Sequence, residues 1–310
     1  MRNESLYSLA QENEIFIFLE YLPHAVMHVV KDESLWTGEG RPPKELYDVL
    51  ISLVIQHHIN WSSRRSIGMI KLLCKSARIH IEVPSWRTLC RYREKSIMKK
   101  YLDKLIETTS KPLNLVEHDF STDMTGTSTK CFSSWFSLRC KKRLRRRDHI
   151  ATHVTTSRML NSCVAIDVDC EKGKDLEYMR KHIKQIANSF LINDWCGDSF
   201  YLSRKNCDAV VKVGGKPWFR PKRNSVIKSR GSYAWKSMLK EFRDNPEAWN
   251  HYHKRSNSES TFSAKKRKFG NSIRSINDSS KENEEHLKWV GYNFGVLSRA
   301  HYEHNLKIKF

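Results

Sequence analysis

Apolar residues recur at helical spacing through the first third of the chain. Leu46, Val49, Leu50, Leu53, Val54 and His57 share one helical face after Pro42-Pro43, a pair suited to the start of a helix. A second helix is predicted from Ser62-Ser63, carrying Ile67, Ile70, Leu73 and Cys74. A third follows Pro84, with Ser85 as its N-cap and Arg87, Arg91 and Arg93 on a short basic helix. The stretch from Gly38 to Pro43 reads as a linker or turn. Residues 1–112 are therefore expected to form a helical N-terminal domain. Short helices ending in a basic one resemble a helix-turn-helix unit, but a helical bundle with a solvated basic face fits the same pattern.

From residue 113 the period changes from helical to alternating. Strands are predicted over Leu113–Met124, Ala151–Ser157 and Ser162–Cys170, the last alternating through Val164, Ile166 and Val168. Leu176, Met179, Ile183 and Ile186 predict a helix over Asp175–Ala187, and Phe190–Asp198 reads as a fourth strand. Strand, strand, strand, helix, strand is the order of a ribonuclease-H-like core, a mixed α/β sheet with flanking helices, and residues 113–310 are assigned to it. Residues 208–248 interrupt that order and are read as an insertion. They contain an expected hairpin, Ala209–Val213 and Lys216–Arg220 about Gly214-Gly215, then a helix near Tyr233–Phe242. One long helix is predicted over Pro246–Lys268, then a polar linker over Asn271–Asn283 and a final helix through Leu287, Val290, Phe294 and Leu297.

Charge changes the picture. The chain of 310 residues carries a net charge of +21. Lys and Arg outnumber Asp and Glu by only 16 to 13 up to residue 110, and by 39 to 21 after it. Such an excess attracts polyanions, nucleic acid first and acidic membranes second. A hydrophobic fraction of 39% supports a buried core. No apolar run approaches the ~20 residues of a membrane helix and no secretory h-region is visible, so a cytoplasmic protein with no membrane partner is expected. The eight cysteines form no C-x-x-C pair and no zinc-finger spacing, and read as ordinary buried thiols.

Candidate chemistry concentrates near residue 259. On one continuous helix, at 100° per residue, Tyr252, Arg255, Glu259 and Lys266 fall within an arc of about 60°. A carboxylate flanked by a phenol, a guanidinium and an ammonium suits a phosphodiester backbone better than a core, with the acid on a metal and the others on phosphates. Asp123, on the first predicted strand, and Asp198, at the end of the fourth, are the companion acids. Asp119 and Asp194 are their rivals. Asp167 and Asp169 are expected on a solvent face, and Asp175 as an N-cap. Oxygen ligands without Cys or His point to Mg²⁺ or Mn²⁺, and a pair of such ions serves in-line phosphoryl displacement.

The spacing Tyr252-x2-Arg255-x3-Glu259-x6-Lys266 resembles the Y-R-E-K signature of DDE-type insertion-sequence transposases, the insertion-sequence four/five-like group. The Thr-Asp-Met-Thr-Gly block at Asp123 and the Asp-x-x-Tyr at Asp198–Tyr201 look like that group's two aspartate motifs. Gly-Arg-Pro-Pro at 40–43 and Val-Pro-Ser-Trp-Arg-Thr at 83–88 extend the likeness over nearly the whole chain. Phe200 departs from it, standing where a small residue is expected. The resemblance implies a cut-and-paste enzyme that binds terminal inverted repeats, hydrolyses a phosphodiester to free a 3′-hydroxyl and joins that end to target DNA. Asp123, Asp198 and Glu259 would ligate two metal ions, and Tyr252, Arg255 and Lys266 would hold phosphates. Double-stranded DNA and, in the synaptic complex, a second copy of the chain are the implied partners, with nucleoid association in a prokaryotic cytoplasm.

The run Arg139–Arg147 puts seven cations in nine positions, and Arg143, Arg145 and Arg146 are read as phosphate contacts, with a solvated face as the alternative; Arg87 and Arg91 on the N-terminal basic helix are read as DNA-binding. Trp135, just before the run, could stack on an extruded base or simply be buried. The alternatives are a metal-dependent nuclease of the same fold without strand transfer, which has no need of the Tyr-Arg-Lys stripe, and an inactive transposase-derived DNA-binding protein, which need not keep all three acids.

Overall fold

The computed structural model describes residues 3–31, 42–129, 149–169 and 175–310. These divide into two compact units, one drawing on the chain up to Pro112 and from Arg267 onward, the other on Leu113–Thr127 and His149–Lys266.

The first unit is helical. Its N-terminal part comprises α1 (Glu4–Glu12), α2 (Glu14–Val30), α3 (Leu46–His58), α4 (Ser63–Ser76), α5 (Trp86–Arg93) and α6 (Met98–Ser110). The helices expected after Pro43, Ser62 and Ser85 are therefore present, and the Ser85 hydroxyl accepts from Thr88 N–H at 3.2 Å as an N-cap. The last helix (Asp278–His304) was expected with the sheet but belongs to this unit. The reason lies in its burial. From Asn283 to Leu297 nearly every side chain is buried, polar Glu284 and Asn293 as well as Trp289, Val290 and Phe294, and a helix buried on all sides needs neighbours on all sides. α1, α2, α3 and α6 supply them. Its buried ion pair Glu284–Lys288, at 3.0 Å, is completed by Ser275, whose Oγ and N–H both donate to Glu284.

The second unit is α/β. Its strands are β1 (Phe120–Ser128), β2 (His149–Ser157), β3 (Cys163–Asp169), β4 (Asp194–Gly197) and β5 (Lys216–Phe219), in the sheet order β3-β2-β1-β4-β5. β2 and β3 are antiparallel, with Val154 opposite Ile166, whereas β4 runs parallel to both β1 and β5. The helices are α7 (Asp175–Ile186), α8 (Arg204–Lys212), α9 (Tyr233–Asp244), α10 (Glu247–His253) and α11 (Ser256–Phe269), the last of which runs on into the first unit. Phe120 and Trp195 are buried with Met179 and Ile183 of α7, and Trp218 and Phe219 with Met238 and Phe242 of α9.

Three expectations are corrected here. Ala209–Val213 is not a hairpin strand. Ser203 caps α8 by accepting from Asn206 N–H, and Asn206, Cys207 and Val210 face inward at helical spacing. The helix ends at Gly214 (φ +89°), with Gly215 N–H donating to Val210 C=O and Gly214 N–H to Val211 C=O, a left-handed C-terminal motif that reads as a hairpin turn in sequence. β5, which follows, joins β4 in parallel. The long helix expected over 246–268 is broken at Lys254-Arg255, where Arg255 N–H bonds Tyr252 C=O and Ser258 N–H bonds Arg255 C=O in tight three-residue turns. Asp167 is buried rather than solvated, because α7 covers that face of β3. Its carboxylate receives Lys181 Nζ at 2.6 Å and lies 3.2 Å from His182 Nε2, and these partners hold it below the usual aspartate range against the cost of burial. The side chains of Asp169 and Asp175 lie outside the described residues.

Candidate functional site

The register of β1 against β4 decides where two of the acids stand. Thr122 pairs with Gly197, so Asp123 and Asp198 are the next residues along adjacent parallel chains, whose strands run about 4.8 Å apart. Two local features hold this edge. Trp195, wholly buried on β4, donates through Nε1 to Thr122 Oγ1 at 3.0 Å. At Gly197 a Cβ would stand 3.0 Å from the Phe219 ring and 3.4 Å from Tyr201 Cβ, so any larger residue there would have to displace the ring just before Asp198.

Asp198 closes a turn on itself, its Oδ1 accepting from Phe200 N–H at 2.9 Å and Tyr201 N–H at 3.4 Å. Tyr201 is buried and its hydroxyl lies 3.0 Å from His153 Nδ1, which anchors the turn, while Phe200 is exposed. Asp123 is more enclosed, its side chain 13% exposed, and its Oδ1 accepts from Met124 N–H at 2.9 Å. Burial pushes its carboxyl above the usual aspartate range. Arg255 and the Met124 N–H oppose that shift, and the charges of Asp198 and Glu259 add to it.

Glu259 lies in the first turn of α11, and Arg255 joins it to β1. One guanidinium nitrogen, Nη1, donates to Asp123 Oδ2, and the other, Nη2, donates to Glu259 Oε1 at 3.2 Å. Glu259 is the most solvated of the three acids, with its side chain 67% exposed. Among the described residues no group of three or more His, Cys, Asp or Glu is clustered tightly enough to hold a metal as it stands. A cation nevertheless already bridges two of the candidate ligands, in the form of Arg255. Hard oxygen donors around a bound positive charge are a donor set that fits a divalent ion.

The break at Lys254-Arg255 corrects the single-helix stripe. Tyr252 is on α10 and is buried among Phe242 and Trp249. It hydrogen-bonds Arg255 and its ring centre lies 5.9 Å from the guanidinium carbon, so it backs Arg255 instead of lining an open face. Glu259 and Lys266 do share one helix, α11. Seven residues apart, they lie about 20° apart around its axis and about 10 Å apart along it.

The rival acids have other partners. Asp194 accepts from Trp218 Nε1 at 2.8 Å, lies 2.8 Å from His251 Nδ1 and pairs with Arg158 at 3.7 Å. Asp119 Oδ1 accepts from Asp194 N–H at 3.2 Å. The Arg158 side chain is 4% exposed, and neither it nor His251 stood out in the sequence, since a lone Arg after a strand and one His among fourteen carry no spacing signal. Beside them a pocket of about 260 Å³ is lined by His118, Asp119, Arg158, Asn193, Lys254 and Asn257.

Arg143, Arg145, Arg146 and Trp135 lie outside the described residues. Arg87 and Arg91 are exposed on α5 of the helical unit. There the Trp86 ring is flanked by two guanidinium groups, Arg64 at 4.4 Å and Arg87 at 4.8 Å. Cys74, Cys163, Cys196 and Cys207 are buried, and burial pushes the Cys196 thiol up to about 12. Among the described residues no helix is long and apolar enough to cross a membrane. Compared with known protein families and with curated proteins, the sequence matches none.

Proposed function

We propose that this chain is a DDE-type DNA transposase with a ribonuclease-H-like catalytic unit. The observation that carries the reading is the convergence of Asp123 and Asp198, by strand register, with Glu259, which shares a guanidinium with Asp123. The sheet order β3-β2-β1-β4-β5, with β2 and β3 antiparallel and β1, β4 and β5 parallel, supports the same reading. So does the order of the three motifs in a chain carrying +21.

In this reading Asp123, Asp198 and Glu259 hold two Mg²⁺ or Mn²⁺ ions. Such ions, when bound, neutralise the attacking and leaving oxygens of an in-line phosphoryl transfer. Arg255 and Lys266 bind phosphates flanking the scissile bond, and Tyr252 orients Arg255 from behind. Arg87 and Arg91 belong to the surface that recognises the element's ends, and Arg143, Arg145 and Arg146 add phosphate contacts. The chain works in the cytoplasm on double-stranded DNA and as a homodimer when two ends are synapsed.

The test uses purified protein and DNA carrying the inverted repeats that flank the gene. With Mg²⁺ the ends are nicked to 3′-hydroxyls and joined to a target plasmid, whereas Ca²⁺ or chelator stops the reaction. Glu259→Gln lowers cleavage by at least about a hundredfold, the scale of losing one key electrostatic stabiliser. Cleavage by Glu259→Gln at the parent's rate would remove Glu259 from the site. Cleavage without joining would identify a nuclease of the same fold.

A further inference from the structure

We propose that Arg255 is a gate on metal binding: in the DNA-free protein its guanidinium occupies the carboxylate oxygens a divalent ion needs, and a DNA phosphate draws it away. The inference rests on the reading of Asp123, Asp198 and Glu259 as metal ligands.

The geometry is specific. Asp123 has two carboxylate oxygens, and Oδ1 already accepts from Met124 N–H at 2.9 Å. The other, Oδ2, is the one that receives Arg255 Nη1. Nη2 of the same group reaches Glu259 Oε1, so one side chain ties together two ligands from different elements. A guanidinium keeps its charge in proteins at any working pH, so deprotonation does not relieve this competition. It also has another fitting partner. Two parallel N–H donors match a phosphate as well as a carboxylate, and a phosphate brought beside the site offers Arg255 that exchange.

The backbone suits such a movement. Arg255 sits in the turn between α10 and α11 and not inside either helix. Tyr252, buried behind it, provides a fixed wall. Glu259, at 67% exposed, is free to turn toward an ion once released. DNA and metal then bind cooperatively, each raising the other's affinity by the same factor. A DNA-free enzyme with this gate carries little metal.

The experiment is a Mn²⁺ titration without DNA, read from the paramagnetic resonance signal of free Mn²⁺. It compares the parent with Arg255→Ala, Arg255→Gln, Asp123→Asn and the double variant Arg255→Ala/Asp123→Asn. Thermal melting of each variant establishes that it is folded, and the glutamine variant serves if alanine fails to fold. Apparent affinity scales with the fraction of molecules whose site is open. Both Arg255 variants should bind Mn²⁺ about tenfold or more tighter than the parent, and the double variant should lose that gain. Parent and Arg255 variants within about twofold of each other overturn the gate, as does no binding by either variant. If the Arg255→Ala gain survives Asp123→Asn, the bound ion is not on Asp123 and the metal-site reading fails instead. Mg²⁺-dependent cleavage by the parent alongside equal Mn²⁺ affinities would reject the gate and leave the proposed function standing.

Discussion

Two aspartates four residues apart, Asp194 and Asp198, should respond in opposite ways to replacement by alanine. Asp194 pairs with the buried Arg158 at 3.7 Å, and it also takes Trp218 Nε1 and faces His251. Removing it leaves a guanidinium whose side chain is 4% exposed to the neutral acceptors Cys196 Sγ and His251 C=O, and deprives the Trp218 indole N–H of its acceptor. Breaking a buried pair by deleting one partner costs about 3–5 kcal/mol. At roughly 2–4 °C per kcal/mol for a domain of this size, Asp194→Ala should melt on the order of 10 °C lower. Asp198→Ala loses two hydrogen bonds from a partly exposed turn, about 1 kcal/mol. It also relieves the repulsion between Asp198 and Asp123, so its melting point should stay within a few degrees of the parent's. Cleavage should follow the reverse order. At 20 °C, well below either transition, Asp194→Ala keeps measurable Mg²⁺-dependent nicking while Asp198→Ala loses it. Differential scanning calorimetry and a plasmid-nicking assay on the same preparations decide the matter. Full activity in Asp198→Ala, or an unchanged melting point in Asp194→Ala, would refute the division of roles.

Three further outcomes are expected. Glu284, paired with Lys288 and Ser275, is held down to about 2 from an ordinary 4.5 despite the cost of burial. Because its folded value is depressed, its contribution of about 3 kcal/mol is complete above pH 4.5 and lost as pH falls toward 2. Urea melts of the parent and Glu284→Gln should therefore converge over that window. Arg87→Ala and Arg91→Ala should each weaken binding to the element's ends and reduce the slope of log K against log salt by about 1, measured by fluorescence anisotropy. Gly197→Ala forces a methyl group against Phe219 and should cost about 1–3 kcal/mol by chemical denaturation, with cleavage reduced because Asp198 follows directly.

Local pattern was enough for much of this protein. The apolar spacing in α3, α4 and α7, the Ser85 cap and the alternation of β3 are properties of a few consecutive residues, and each appears in the structure near its expected limits. Asp123, Asp198 and Glu259 stood out because their neighbours form motifs along the chain. What required tertiary structure was everything decided by partners distant in sequence. Ala209–Val213 has β-rich composition, yet packing of Asn206, Cys207 and Val210 on the core makes it helix. Asp167 looked solvent-facing until α7 covered it, because alternation says which residues share a face and not what lies over that face. The last helix joined the helical unit because its buried circumference needs helices around it, which chain order does not convey. The role of Arg255 was the least visible in sequence. Spacing put it on a stripe with Glu259, but a helix break turned it onto Asp123, and only strand register brought Asp123 to meet it.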